Sequence, residues 1–257
     1  MIEIKDFSAG YRGSKKIRIR ELDIRPGRIL GILGRNGSGK STFLRALVGI
    51  IPYEGHALLD GTETASMSHK DRARRIAYLP QQLSPARMDI LTLASHGRFA
   101  RMSFSKVMGE EDKKAVRRAL ERTGLWGERY RRVDTLSGGE RQRAYLAMVL
   151  AQDAEYMLLD EPAAALDIAH QIETMDLLKE LASEGRGIVI TSHDLPQTAA
   201  YSDRICLIDR SRADSAAPPD QLIREGKRIR QVMGMTLVPA DKGLYPYILE
   251  ACVTENK

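Results

Sequence analysis

Cysteine is nearly missing from this 257-residue chain: only Cys206 and Cys252 occur, far apart, so no disulfide scaffold can hold it together. Two such thiols read as reduced side chains in a protein interior. Aromatic residues make up only 5% of the chain, and none interleaves with basic residues as a base-stacking platform requires, so nucleic-acid binding is not expected. No apolar run approaches the ~20 residues that span a bilayer. The opening residues, Met1 to Asp6, lack the basic and apolar stretches of a secretory leader. The expectation is a soluble, cytoplasmic chain. Internal repeats, heptads and low-complexity segments are also missing. Charge of one sign is not in large excess: 40 Lys and Arg against 34 Asp and Glu give +6. The basic residues gather lightly at Lys15–Lys16, Arg72–Arg75, Arg129–Arg132 and Lys227–Arg230, which read as solvated surface.

What is present suffices for a core. At 43% hydrophobic residues, a chain this long buries roughly 70% of its unfolded surface without metal or cross-link. Its length suits one large domain or two small ones. Three short apolar runs, Ile29–Leu33, Tyr156–Leu159 and Gly187–Thr191, read as buried parallel strands. Each runs into polar residues, where open α/β sheets bind ligands. Ile2–Phe7 and Ile17–Ile24 alternate like an antiparallel pair with a turn at Gly10 and Gly13. From about Pro85 to Arg132 the texture is helical. Glu110-Glu111-Asp112 opens one segment, Arg117, Arg118 and Arg122 close it, and Gly124 ends it. After Asp209 the chain loosens, and Ala216-Ala217-Pro218-Pro219 reads as a connector to a small C-terminal appendage.

Gly34-Arg35-Asn36-Gly37-Ser38-Gly39-Lys40-Ser41 fits G-x-x-x-x-G-K-[ST] between a strand and a helical run that begins at Thr42. Glycines allow backbone N–H groups to turn inward onto phosphate oxygens at a helix N-terminus. Lys40 would bring positive charge to the terminal phosphates, and the Ser41 hydroxyl is a hard oxygen for Mg²⁺. Asp160 and Glu161 close an apolar strand, the first suited to the metal and the second to polarising a water. In Leu136-Ser137-Gly138-Gly139-Glu140-Arg141-Gln142, Ser137 and Glu140 make a capping box for an amphipathic helix with Leu146, Val149 and Leu150 on one face. The paired glycines are costly in a helix unless something approaches the backbone closely, and a terminal phosphate is such a partner.

In this order, the phosphate loop, LSGGERQR, LLDEP and a Ser192-His193-Asp194 strand end resemble the ATP-binding subunit of an ABC transporter, over residues 1–210. The resemblance implies an α/β P-loop NTPase core of RecA-like type, with an antiparallel β subdomain and an inserted α-helical subdomain. It divides the single domain into a core (1–84 and 155–210), a helical part with the signature helix (85–154) and the appendage (211–257). It implies that ATP is bound by Gly34, Asn36, Gly37, Ser38, Gly39, Lys40, Ser41, Thr42 and Asp160, with Tyr11 stacking on adenine. Ser137, Gly138, Gly139 and Asp167 would complete the site from a second copy. Ser41, Gln81 and Asp160 would hold Mg²⁺, and Glu161, His193 and Gln81 would serve hydrolysis, with Gln82 a rival to Gln81. His56, His69, His96 and His170 read as structural.

A finer likeness, in Ala77–Gln82, Leu93–Phe99, Ala147–Asp153 and Ala165–Gln171, is to importers of iron–siderophore, haem and cobalamin complexes. It implies a homodimer bound to a permease at the inner face of the membrane, and indirectly a substrate-binding protein. A zinc-type importer, an exporter and a soluble ATPase of DNA repair are the alternatives. Two departures stand out: Ala163-Ala164 where the family has Thr-Ser, and Ser211–Ser215 in place of a glycine-bearing hairpin.

Overall fold

In the computed structural model, residues 1–11, 16–102, 107–240 and 243–251 are described. Gly13, Lys15 and Cys252 lie outside them. The chain opens with β1 (Ile2–Ala9) and β2 (Ile17–Ile24), antiparallel and paired from Ile2↔Ile24 to Ala9↔Ile17. Then come β3 (Ile29–Gly34), α1 (Lys40–Leu47), β4 (Tyr53–Leu59), β5 (Thr62–Glu63), α2 (His69–Arg75) and β6 (Ile76–Leu79). Helices α3 (Ile90–His96), α4 (Glu110–Arg122) and α5 (Gly138–Gln152) precede β7 (Tyr156–Asp160), α6 (Ile168–Ser183), β8 (Gly187–Ser192) and α7 (Leu195–Tyr201). The chain continues through β9 (Arg204–Asp209), β10 (Arg212–Ala213), α8 (Pro219–Glu225), α9 (Lys227–Met233), β11 (Met235–Pro239) and β12 (Tyr247–Ala251).

Among the described residues ten strands form one mixed sheet in the order β5-β4-β1-β2-β10-β9-β3-β8-β7-β6, and β11 and β12 pair separately. On one side β5-β4-β1-β2 are antiparallel, called the meander although β1 pairs with β4; on the other, β9-β3-β8-β7-β6 are parallel throughout. Parallel strands must be covered on both faces, and alternate residues sort accordingly. Leu158 and Val189 join Phe43 and Leu44 of α1, with Ile4, Phe7 and Ile19 of the meander, on one face. Met157, Leu159, Ile188 and Ile190 meet Leu146, Val149, Met175 and Leu178 of α5 and α6 on the other. The fully buried Phe43 stabilises this arrangement by about 1.5–3 kcal/mol relative to exposure.

The consequence for function is geometric. The parallel strands all end at the same edge, which gathers Gly34, Asp160, Ser192, the residues after Leu79 and the turn after Asp209. Helices α3, α4 and α5 have a core of their own, including Ile90, Leu93, Val116, Leu120, Val133 and Leu136. Because β6 and β7 are adjacent, this helical body is inserted between neighbouring strands and stands beside the site edge.

The chain differs from its sequence reading in places. The segment after Asp209 does not loosen at once: β9 and β10 form a hairpin although no glycine is present, with Arg210 (φ 46°) and Ser211 (φ 64°) both in the left-handed region. Since β10 also runs parallel to β2, this hairpin joins the meander to the parallel half. Beyond it, Leu222, Ile229, Val232 and Leu237 pack with Leu33, Leu195 and Leu207, so the C-terminal residues share a core with the phosphate-loop strand. Arg72 is not solvated surface. It is buried, donating from Nε to the Val48 carbonyl (3.0 Å) and from Nη1 to that of Thr64 (2.8 Å).

Candidate functional site

The loop from β3 into α1 is shaped by its glycines. Gly39 caps α1 at φ 108°, which a side chain rarely adopts, and at Gly34 a Cβ would stand 2.5 Å from the Ile208 carbonyl oxygen. The first turn of α1 thus opens into a cleft of about 680 Å³, lined by Tyr11, Asn36, Gly37, Ser38, Gly39, Lys40, Ser41, Thr42, Gln81, Glu161, His193 and Ser211. Unpaired N–H groups and the positive end of the helix dipole make this an anion site. Lys40 is buried, and its Nζ donates to the Gly34 carbonyl at 2.7 Å. Burial holds its ammonium below the usual lysine range, against the opposing pull of Glu161 and Asp160.

The acid pair is held by β8. The β7–β8 register places Asp160 beside Thr191. The Thr191 hydroxyl donates to Asp160 Oδ1 (2.6 Å) and accepts from the Glu161 N–H (3.0 Å). Among the described residues Asp160 Oδ2 and Ser38 Oγ are buried without a hydrogen-bond partner; Asp160 does not itself line the cleft, but it leaves a hard carboxylate oxygen uncommitted one residue before Glu161, which does. That is the donor chemistry a hydrated Mg²⁺ takes. Glu161 sits at φ 53°, a left-handed conformation costing on the order of 1–3 kcal/mol. Its side chain is 9% exposed and accepts from Gln81 Nε2 at 2.9 Å, while His193 Nδ1 lies 3.5 Å from the same oxygen. Gln81, not Gln82, lines the cleft. Tyr11 also lines the cleft, its hydroxyl accepting from Arg45 Nη1 at 3.0 Å.

Ser137, Gly138, Gly139 and Asp167 do not line this cleft. Ser137 caps α5 as expected: its Oγ accepts from the Glu140 N–H (3.2 Å), and Glu140 accepts from the Ser137 N–H (2.8 Å). What approaches the glycine pair within this chain is the loop before α6. A Cβ on Gly139 would meet the Ala165 carbonyl oxygen at 3.3 Å, whereas Gly138 has nothing nearer than the Ala165 Cβ at 3.9 Å. Ser137 and Gly138 are exposed. Asp167 caps α6 and accepts from the His170 N–H (3.0 Å) and ring (2.8 Å), and these bonds hold its carboxyl below the usual range. The other histidines have local partners: His56 pairs with Glu63, His69 with Arg72, and His96 packs against Phe99.

The capping box gives the signature helix a pH signature. The Ser137 N–H, followed by Arg131, holds Glu140 at about 2, well below its ordinary 4.5. A depressed carboxyl adds stability above its unfolded value and loses it as pH falls between about 4.5 and 2. Glu140→Gln keeps an acceptor but does not titrate. Its urea midpoint should therefore fall less than that of the parent between pH 5 and pH 3, and an equal fall would assign the acid sensitivity elsewhere.

Sequence reasoning overlooked Thr191, Arg45 and Ser211. Thr191 joins the acid pair only through strand register, and Ser211 reaches the cleft only through the hairpin; no local motif marks either.

Residues 18–164 match the family model described as ABC transporter. The chain is 40% identical over 237 residues to the petrobactin import ATP-binding protein FpuD of Bacillus anthracis, covering 91% of this chain and 86% of that protein. It is 36% identical to the ferric enterobactin transport ATP-binding protein FepC of Escherichia coli, covering 86% and 82%. Among solved structures, a dimeric post-hydrolysis ATP-binding cassette with ADP and Pi aligns with TM-score 0.74 at 26% identity, over 85% of this chain and 99% of that one. A metal-chelate type ABC transporter in an inward-facing conformation shares the fold, with TM-score 0.78 at 23% identity over 98% of both chains.

Proposed function

The chain belongs to the ABC transporter family as an ATP-binding, ATP-hydrolysing subunit, and from that premise we propose that it powers import of an iron–siderophore or related metal chelate. The observation that carries the ATPase chemistry is the meeting of Gln81, Glu161 and His193 over the phosphate loop in one cleft. Import of a chelate is supported by relatives that align over more than four-fifths of their length and are named for petrobactin and enterobactin transport.

In this reading the N–H groups of Asn36 to Thr42 hold the phosphates of ATP, Lys40 leaves the Gly34 carbonyl for the β/γ-phosphates, and Tyr11 takes the adenine. Ser41, Asp160 and Gln81 would hold Mg²⁺, which when bound spreads the charge of the phosphates. Glu161 takes a proton from the attacking water, with Gln81 and His193 holding that water in line. Ser137 and Gly138, exposed and outside their own chain's cleft, cover the γ-phosphate of a second copy, and Asp167 faces the same interface. The likeness to a dimeric cassette supports this pairing. No helix among the described residues is long and apolar enough to cross a membrane. In this reading coupling runs through a permease, gripped by the helical body of α3, α4 and α5 and supplied by a substrate-binding protein.

Reconstitution with its permease and binding protein tests this. ATP-driven uptake of a ferric siderophore should fall to background with Lys40→Ala, because the phosphates lose their buried cation. Uptake of zinc, but of no chelate, would overturn the substrate class.

A further inference from the structure

The backbone of Glu161 is braced from two sides. Thr191 accepts its N–H, and its carbonyl accepts from Gln142 Nε2 at 3.0 Å and, within the same turn, from the Ala164 N–H at 3.3 Å. Gln142 is only 4% exposed and lies on α5, the helix whose first turn carries Ser137 and Gly138. The bond matters because Glu161 holds φ 53°, which a side-chain-bearing residue leaves unless its surroundings over-determine it. A peptide rotation here would swing the carboxylate away from Gln81 and His193.

We propose that Gln142 is a positioning residue for hydrolysis: its side-chain amide fixes the Glu161 carbonyl and so aims the carboxylate at the attacking water. The inference rests on Glu161 being the base. It makes α5 act in two places, with its exposed first turn toward the partner's nucleotide and Gln142 on the base of its own chain. A shift of α5 when the partner's phosphate is engaged is thereby transmitted to Glu161 through the Gln142 bond, whereas the Ala164 N–H holds the same carbonyl from within its own turn. Among the described residues the Gln142 amide reaches out of α5 to the Glu161 carbonyl and not to its own helix.

The test uses the full chain carrying Gln142→Met, similar in volume but without a donor, and Gln142→Glu, which turns an oxygen toward the Glu161 carbonyl. Both should lower kcat by about 10- to 100-fold, the loss expected from a small misplacement of a catalytic group, with KM for ATP within about twofold of the parent. In a Glu161→Gln background, neither should lower single-turnover hydrolysis further, because the residue they aim is already inactive. Parental kcat in both variants, or a loss that multiplies onto that of Glu161→Gln, would overturn the proposal. A melting temperature and ATP affinity equal to the parent's identify a folded variant; should Gln142→Met unfold, Gln142→Glu decides. If Glu161→Gln alone hydrolyses at the parental rate, the base assignment fails as well, an outcome distinct from a silent Gln142.

Discussion

Replacing Glu161 by Gln should slow ATP hydrolysis by about 10²–10⁴-fold, the usual worth of a positioned general base, while nucleotide affinity stays within a few-fold. The geometry explains why the loss should be chemical, not structural. Glu161 accepts from Gln81 at 2.9 Å, and a glutamine keeps an oxygen for that bond. The braces at its N–H and carbonyl are backbone contacts that the substitution leaves alone. The amide cannot take a proton from water, so ATP would persist between two copies. With Mg²⁺ and ATP the variant should elute as a stable dimer, and ADP should not support it. Hydrolysis at the parental rate would remove Glu161 from the role of base.

Ser137→Arg should abolish hydrolysis by a different route, with a loss of at least about 10²-fold as for removal of a charge-stabilising donor. Ser137 lines no part of its own chain's cleft, so binding of a fluorescent ATP analogue to the dilute monomer should be unchanged. The arginine fills the place where the partner's γ-phosphate would sit and obstructs closure of the pair. The N-cap bond to the Glu140 N–H is also lost, and the helix should be weaker by about 1 kcal/mol in urea titration. A monomer that no longer binds nucleotide would contradict a site shared between copies.

Much of this site was legible because its signals are local. The phosphate loop needs glycines at fixed spacing between strand and helix, and Gly39 at φ 108° shows why. Ser137 and Glu140 sit three residues apart, so their capping box follows from helix geometry alone. The buried strands β3, β7 and β8 could be read from short apolar runs ending in polar residues. Other features depend on residues far apart in the chain. The paired glycines suggested an approaching phosphate, but within this chain the contact at Gly139 is Ala165 and Leu166. The absence of glycine after Asp209 argued against a hairpin, yet strand pairing on both sides of β10 holds Arg210 and Ser211 in left-handed conformations. Arg72 looked like solvent-facing charge because its partners are backbone carbonyls, which leave no mark in a sequence.

The amino-acid order by itself determined the phosphate loop, the adjacent carboxylates, the helix caps and the apolar strands, since each depends on neighbours within a few residues, where backbone geometry and side-chain type suffice. Only the tertiary structure decided that Thr191 ties the acid pair together and that Gln142 reaches across from α5. Those bonds form between elements brought together by parallel strand register and by helix packing on the sheet. Both are set by the burial of many side chains at once, so no single stretch of sequence encodes them.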